Sequence, residues 1–264
     1  MHSRNTAFLR TSLIALGLFG TFAAHADDLN TPAKREIAME LVSSAENTSL
    51  DWRAQYAYIE DIKDGRGYTA GLVGFTSADD DMLALVTLYD TAEPGNVLSK
   101  YIPALTFLSK HNSGSHQGLD PTFKKDWITA AADPVFQAAQ DQTLNEQYFN
   151  PALSQATTDG LGILGQFIYY DAYVMHGPGN GTHSFGGIRK AALANAKTPA
   201  QGGDETTYLN AFLDARRALM LKEPDHKDNV DRIDTEQRAF LKAGNLNLDT
   251  PLRWTVNEGD FSIP

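Results

Sequence analysis

Two carboxylates stand in contrasting settings between Met39 and Phe75. Glu46 closes an amphipathic helical pattern. Asp64 sits in the turn Lys63-Asp64-Gly65-Arg66-Gly67-Tyr68. Such a pair suits acid–base cleavage of a glycosidic bond. That reaction needs one carboxyl that keeps its proton and one that stays ionised, so their surroundings must differ. Glu46 follows Met39 and Val42 along one flank of the helical pattern. That flank would take the carboxyl out of water and favour its protonated form. Asp64 is bracketed by Lys63 and Arg66 and by free N–H groups of the turn, which favour the charged form. Gly65 and Gly67 let a substrate approach the backbone closely. Thr69 follows on the same segment, placed to orient a water on Asp64.

The elements that must position these groups can be read from periodicity. Thr31 caps a helix with Pro32 at its first position. Ile37, Leu41 and Ala45 give that helix its apolar line. Asp51 is expected to start a second helix with Trp52, Tyr56 and Ile59 on one face. Leu72–Thr76 reads as a short strand, in a hairpin beginning near Tyr68. Asp79-Asp80-Asp81 leads a helix carrying Met82, Leu85, Val86 and Tyr89, where acids suit the positive end of the dipole. Val97–Leu108 reads as helix interrupted at Pro103. A polar loop from Lys110 to Pro121 contains His111 and His116. A further helix is expected over Phe123–Asp141. Asn150-Pro151 has a helix-start signature. Leu161–Met175 is apolar nearly all round, which places it in the middle of a domain. His176–Gly181 is a glycine loop. Short helices are expected near Phe185–Asn195 and Glu205–Leu221. Asp234-Thr235-Glu236-Gln237 resembles a capping box before Phe240-Leu241, and Leu252–Val256 reads as a strand. The pattern is α+β, mostly α, with helices and strands segregated.

Totals exclude several functions. The 264 residues carry 22 basic and 33 acidic side chains, a formal net charge of -11. Nucleic acid is an unsuitable partner, because phosphate neutralisation needs clustered Lys and Arg. A cationic substrate suits the acidic field. There is no cysteine, so thiol nucleophiles and thiolate metal sites are excluded. No Gly-x-Ser-x-Gly elbow is present. His176 and His183 lack metal-site spacing, and Asp79–Asp81 lacks EF-hand spacing. No metal and no cofactor is therefore expected. Arg4 and Arg10, the apolar run Leu13–Ala23 and the end Ala24-His25-Ala26 predict a secretory signal peptide over residues 1–26. Cleavage after Ala26 would leave residues 27–264 as the catalytic part, secreted, with no membrane attachment. Later in the chain, Leu161–Met175 is broken by Gly165, Gln166 and Asp171 and does not suit a span.

Several longer runs carry a family resemblance: MELVSSAEN, DWRAQYAYIEDI, DGRGYT, GFTS, YFNPALSQA, YYDAYVMHGPGN, SFGGIRK, TPAQGGDETTYLNAFLDAR and DTEQRAFLKAGNLNL. In this order they resemble the chitosanases of glycoside hydrolase family 46, over nearly the whole chain after the leader. The resemblance implies a lysozyme-like, two-lobed fold with a small sheet and a substrate cleft between lobes. It implies endo-hydrolysis of β-1,4-linked glucosamine polymer, chitosan, with inversion; separately, a monomer is expected. Glu46 matches the general acid, Asp64 the general base, and Thr69 the residue that helps hold the attacking water. Arg66 matches the arginine beside the base. Tyr58 and Asp81 match residues lining the sugar subsites, Asp81 as an anion for an ammonium group. Glu223 matches a further cleft acid. Asp171, Arg216 and Arg232 match a charged network behind the acid. Two rival readings stay open: a non-catalytic chitosan-binding protein, and a lysozyme-like hydrolase acting on chitin or peptidoglycan.

Overall fold

The computed structural model describes residues 28–264 apart from Asp225. The expected signal peptide lies outside the described residues. Helix α1 spans Pro32–Asn47 and is followed by a 3-10 turn, Trp52–Ala57. The full second helix expected from Asp51 does not form; the Asp51 side chain caps only this short turn, at Ala54 N. Three two-residue strands, β1 (Ile59–Glu60), β2 (Thr69–Ala70) and β3 (Phe75–Thr76), make a small antiparallel sheet in the order β1-β2-β3. Its register pairs Glu60 with Thr69 and Ala70 with Phe75. The strand expected from Leu72 begins only at Phe75, because Gly71 and Gly74 turn the chain with positive φ.

Helix α2 runs Asp80–Ala92 and α3 runs Ile102–Lys110. Pro103 stands in the first turn of α3, where a missing N–H costs no helical bond. The single helix expected over Phe123–Asp141 is two: α4, Phe123–Ala130, and α5, Pro134–Leu144. Pro134 cannot continue α4, and Asp133 caps the new start by accepting from Val135 N. From α5 the chain stays helical through a π turn, Asn145–Phe149, into α6, Asn150–Asp159. The Asn150 N–H reaches back to Asn145 O just before Pro151, which has no N–H to give.

Helix α7 spans Ile163–His176, α8 Phe185–Leu193 and α9 Glu205–Met220. The expected capping box at Asp234 does not form. Asp231 caps instead, and Arg232–Gln237 is a π turn leading into α10, Arg238–Lys242. A hairpin of β4 (Leu252–Val256) and β5 (Gly259–Ile263) closes the chain.

These elements bury two separate apolar cores. The smaller lobe gathers the sheet and α2–α5 around Phe75, Leu85, Leu105, Phe123, Trp127 and Phe136. The larger gathers α1, α6–α10 and the hairpin around Leu41, Phe149, Phe167, Tyr170, Phe212 and Trp254. Each such side chain contributes roughly 1.5–3 kcal/mol on burial. The α5–α6 run crosses between them: Phe136 and Ala139 pack in the small lobe, Phe149 and Ala152 in the large one. Helix α7 is the centre of the large lobe, with every residue from Ile163 to Ala172 buried.

Candidate active site

A cleft of about 360 Å³ lies between the lobes. The large lobe supplies Glu46 and Asn47 from α1, Val174 and Met175 from α7, and His226, Asn229 and Arg232. The small lobe supplies Tyr58, Ile62, Thr69 and the turn Gly71–Gly74.

Glu46 stands in the last turn of α1, which ends where Thr48 takes a left-handed conformation (φ 53°). The C-terminal hairpin holds that turn. Asn257 Nδ2 donates to Ala45 O at 2.8 Å, and Trp254 Nε1 donates to Ser44 Oγ at 3.0 Å. Met39 and Val42 are buried in the core, as their spacing requires. Glu46 is not enclosed with them: its side chain is 38% exposed, and Oε1 accepts from Arg232 at 2.7 Å. The expected apolar pocket around this acid is therefore replaced by an ion pair. The reason is positional: a long side chain at a helix end reaches past the core edge to a cation on another element.

Behind Glu46 the structure brings Asp171, Arg216 and Arg232 together. Asp171 on α7 sits between the two arginines. Arg216 NH1 meets its Oδ2 at 2.5 Å, and Arg232 NH2 stands 3.4 Å from its Oδ1. Gln237 Nε2 also donates to Oδ2, at 2.7 Å. All three charged residues are almost wholly buried. Burial opposes the Asp171 charge, but the two guanidiniums outweigh it and hold its pKa below the usual carboxylate range. Arg216 Nε donates to His176 Nε2 at 3.1 Å. Burial, with Arg216 beside it, pushes the His176 pKa down to about 2, so this ring is neutral and carries its proton on Nδ1.

On the small lobe, Asp64 accepts twice from Arg66: backbone N to Oδ1 at 2.9 Å and Nε to Oδ2 at 2.7 Å. Partial burial works against its charge. The Arg66 N–H, then its guanidinium, prevail and lower the pKa. The Asp64 turn is braced from below. Gly67 has φ +75°, and a side chain there would collide with Ser77 Oγ. Gly114 packs against Gly65 so closely that a Cβ would overlap its carbonyl. Tyr68 is stacked on His116, with centroids 4.0 Å apart and planes 12° from parallel. His116 Nε2 lies 3.2 Å from Asp61 Oδ2. Ser77, Gly114 and His116 carried no functional signal in the sequence; they lie on segments that fold back from elsewhere in the chain.

Thr69 follows from this turn on β2 and faces the cleft. It is buried, and its Oγ1 has no hydrogen-bond partner among the described residues. Tyr58 lines the same wall. Asp81 lies outside the cleft lining, at the start of α2, where Thr76 N and Met82 N both donate to Oδ1 at 3.0 and 2.7 Å. Burial pushes its pKa up to about 6, against the pull of those two N–H groups. Asp64, Arg66 and Glu223 also stand outside the lining. Glu223 is reached through His226, which does line it. The carboxylate accepts from His226 Nδ1 at 2.6 Å and His183 Nδ1 at 2.5 Å, tying two loops together.

His176, Glu223 and His226 bring potential metal-ligand atoms within 4.8 Å of one another. Their hydrogen bonds use those atoms: both Glu223 oxygens hold imidazoles, and His176 Nε2 accepts from Arg216. A dication would also face Arg216. The set fits a hydrogen-bonded cluster better than a metal centre.

A cleft between two lobes, with Glu46 and a buried charge network on one wall and the unpartnered Thr69 hydroxyl on the other, suits a glycoside hydrolase. The family model for glycosyl hydrolase family 46 matches residues 40–252. The chain belongs to that family. It is 65% identical to a chitosanase of a Streptomyces species, over 89% of this chain and 84% of the relative. It is 36% identical to a Bacillus subtilis chitosanase, over 96% and 94%. Among solved structures it is similar to chitosanase OU01 co-crystallised with substrate, with TM-score 0.85, 52% identity and coverage of 90% and 99%. It is also similar to the Gynuella sunshinyii family 46 chitosanase bound to chitotetraose, with TM-score 0.82, 32% identity and coverage of 89% and 98%. The fold is the lysozyme-like, mostly helical one expected from the resemblance.

Proposed function

We propose the following mechanism for this enzyme. It hydrolyses β-1,4 linkages between glucosamine units within chitosan, with inversion at the anomeric carbon. Glu46 is the general acid. Its Oε1 is held by Arg232, and Oε2 has no hydrogen-bond partner among the described residues. Oε2–H gives its proton to the glycosidic oxygen as the bond to the anomeric carbon breaks. Asp64 is the general base. It takes a proton from a water that attacks the same carbon from the opposite face, with Thr69 Oγ1 orienting that water. Glu46 ends as the anion and Asp64 as the acid; solvent exchange resets both. Arg66 keeps Asp64 ionised between turnovers. Tyr58, Asp81 and Glu223 contact the sugars, and Asp81 pairs with an ammonium group. The Asp171–Arg216–Arg232 network fixes the acid. The protein acts as a monomer and is exported by a signal peptide cleaved near Ala26.

The observation that carries this reading is the cleft itself: Arg232-held Glu46 on one wall, and on the other the unpartnered Thr69 hydroxyl, on the strand leading from Asp64. The test is viscosity loss of chitosan by wild type, Glu46→Gln and Asp64→Asn. Loss of turnover of about 10²–10⁴-fold in both variants is expected. Wild-type turnover in both would end the assignment. Chitosan binding without viscosity loss in the wild type would make the protein a binding module.

A further inference from the structure

The mechanism above needs Asp64 and the Thr69 hydroxyl to keep a fixed relation, yet nothing outside its own turn grips the Asp64 carboxylate. Among the described residues its hydrogen bonds go only to Arg66. Lys63–Arg66 is exposed, and the chain becomes buried only from Gly67 onward. An exposed turn has few contacts to hold it still, so its placement must come from where it is anchored. Tyr68 is that anchor. It stands four residues after Asp64 and directly before Thr69, and it packs into the core of the small lobe.

Every part of Tyr68 is engaged. The His116 ring lies flat on its ring, and Phe123, the first residue of α4, packs at 5.8 Å between centroids. Asp120 Oδ1 accepts from the Tyr68 hydroxyl at 2.5 Å. A buried phenol needs such a partner, and a charged acceptor is the stronger kind. On the main chain, Tyr68 N donates to Ser77 Oγ and Ser77 N donates to Tyr68 O, both at 2.9 Å. The ring cannot swing without giving up the stack, the hydroxyl bond and the core packing together. We propose that Tyr68 is a positioning residue for this reaction: clamped by His116 and Asp120, it fixes the base turn on one side of it relative to the Thr69 hydroxyl on the other. A water oriented by Thr69 then stays within reach of Asp64.

The proposal rests on Asp64 being the base, and a double-mutant cycle separates the two claims. The readouts are kcat and KM on chitosan for Tyr68→Phe, Asp64→Asn and the double variant, per folded enzyme. Tyr68→Phe loses the bond to Asp120 and should cost about tenfold in kcat, with KM within about twofold. In the Asp64→Asn background the same change should move kcat by less than about twofold, because no base remains to misplace. A merely structural role would cost the same factor in both backgrounds. Asp120→Asn keeps an acceptor for the hydroxyl and should hold kcat within about threefold, whereas Asp120→Leu should match Tyr68→Phe. Equal losses in the two backgrounds overturn the proposal. So does a folded Tyr68→Phe enzyme with wild-type kcat, or an Asp120→Asn enzyme as impaired as Asp120→Leu. If Tyr68→Phe fails to fold, Asp120→Leu carries the same cycle, since Asp120 is half-exposed. Wild-type turnover in Asp64→Asn would instead defeat the underlying assignment of the base.

Discussion

Arg232 lies 2.7 Å from Glu46 while only 2% of its own side chain is exposed. The charge that holds the exposed acid is thus itself a buried one, anchored by Asp171 at 3.4 Å. Glu46 is oriented by the large-lobe core, although it stands in the cleft.

Arg232→Ala should therefore damage both fold and function. It strands Asp171 with one guanidinium in a buried site and frees Glu46. Breaking a buried pair by removing one partner costs about 3–5 kcal/mol. Urea unfolding should show a loss of that order, and kcat should fall alongside it. A stable variant with unimpaired kcat would contradict the role given to the network.

Thr69→Val should separate activity from stability. The hydroxyl is buried without a protein partner, so an isosteric methyl costs the fold little or nothing. In the proposed mechanism its loss removes the group that orients water on Asp64. We expect kcat to fall roughly tenfold or more, within the range of acid–base assistance, with Tm unchanged or raised.

Asp81 should give a pH signature. Its folded pKa, about 6, lies above the ordinary 3.8. The raised value means that the protonated form is favoured by folding. Its contribution is full below about pH 4 and lost as pH rises through about 6. Asp81→Asn should therefore gain stability relative to wild type across that window, by at most roughly 3 kcal/mol. Substrate ammonium would draw the carboxylate back into its ionised form. KM for chitosan should rise as pH falls through about 6 in wild type and stay flat in Asp81→Asn.

Glu223 ties the glycine loop after α7 to the segment after α9 through His183 and His226. Its pKa is lowered by those two imidazoles against the effect of burial, so its stabilising contribution is present above the ordinary carboxylate range and lost as pH falls through the lowered value. Glu223→Gln should speed amide exchange across Gly177–His183 and around His226, leaving α7 protected. Unchanged exchange in both loops would show that the bridge does not restrain them.

Much of this protein was determined by local sequence. The all-round apolar run over α7 required burial, and it carries Asp171 into the core. The turn chemistry of Lys63–Tyr68 put cationic and N–H partners around Asp64, and Arg66 supplies both. Tertiary structure decided the rest. Periodicity placed Glu46 on the flank of Met39 and Val42, yet a side chain at a helix end is free to leave that flank. Its partner Arg232 is 186 residues away in sequence. Glu236 read as part of a helix cap, and only the π turn, packed on α10 and β4, made it a buried acid. Local pattern fixes which face of an element is apolar. Which charge meets which across separate elements depends on how those faces pack, and no short-range spacing encodes that.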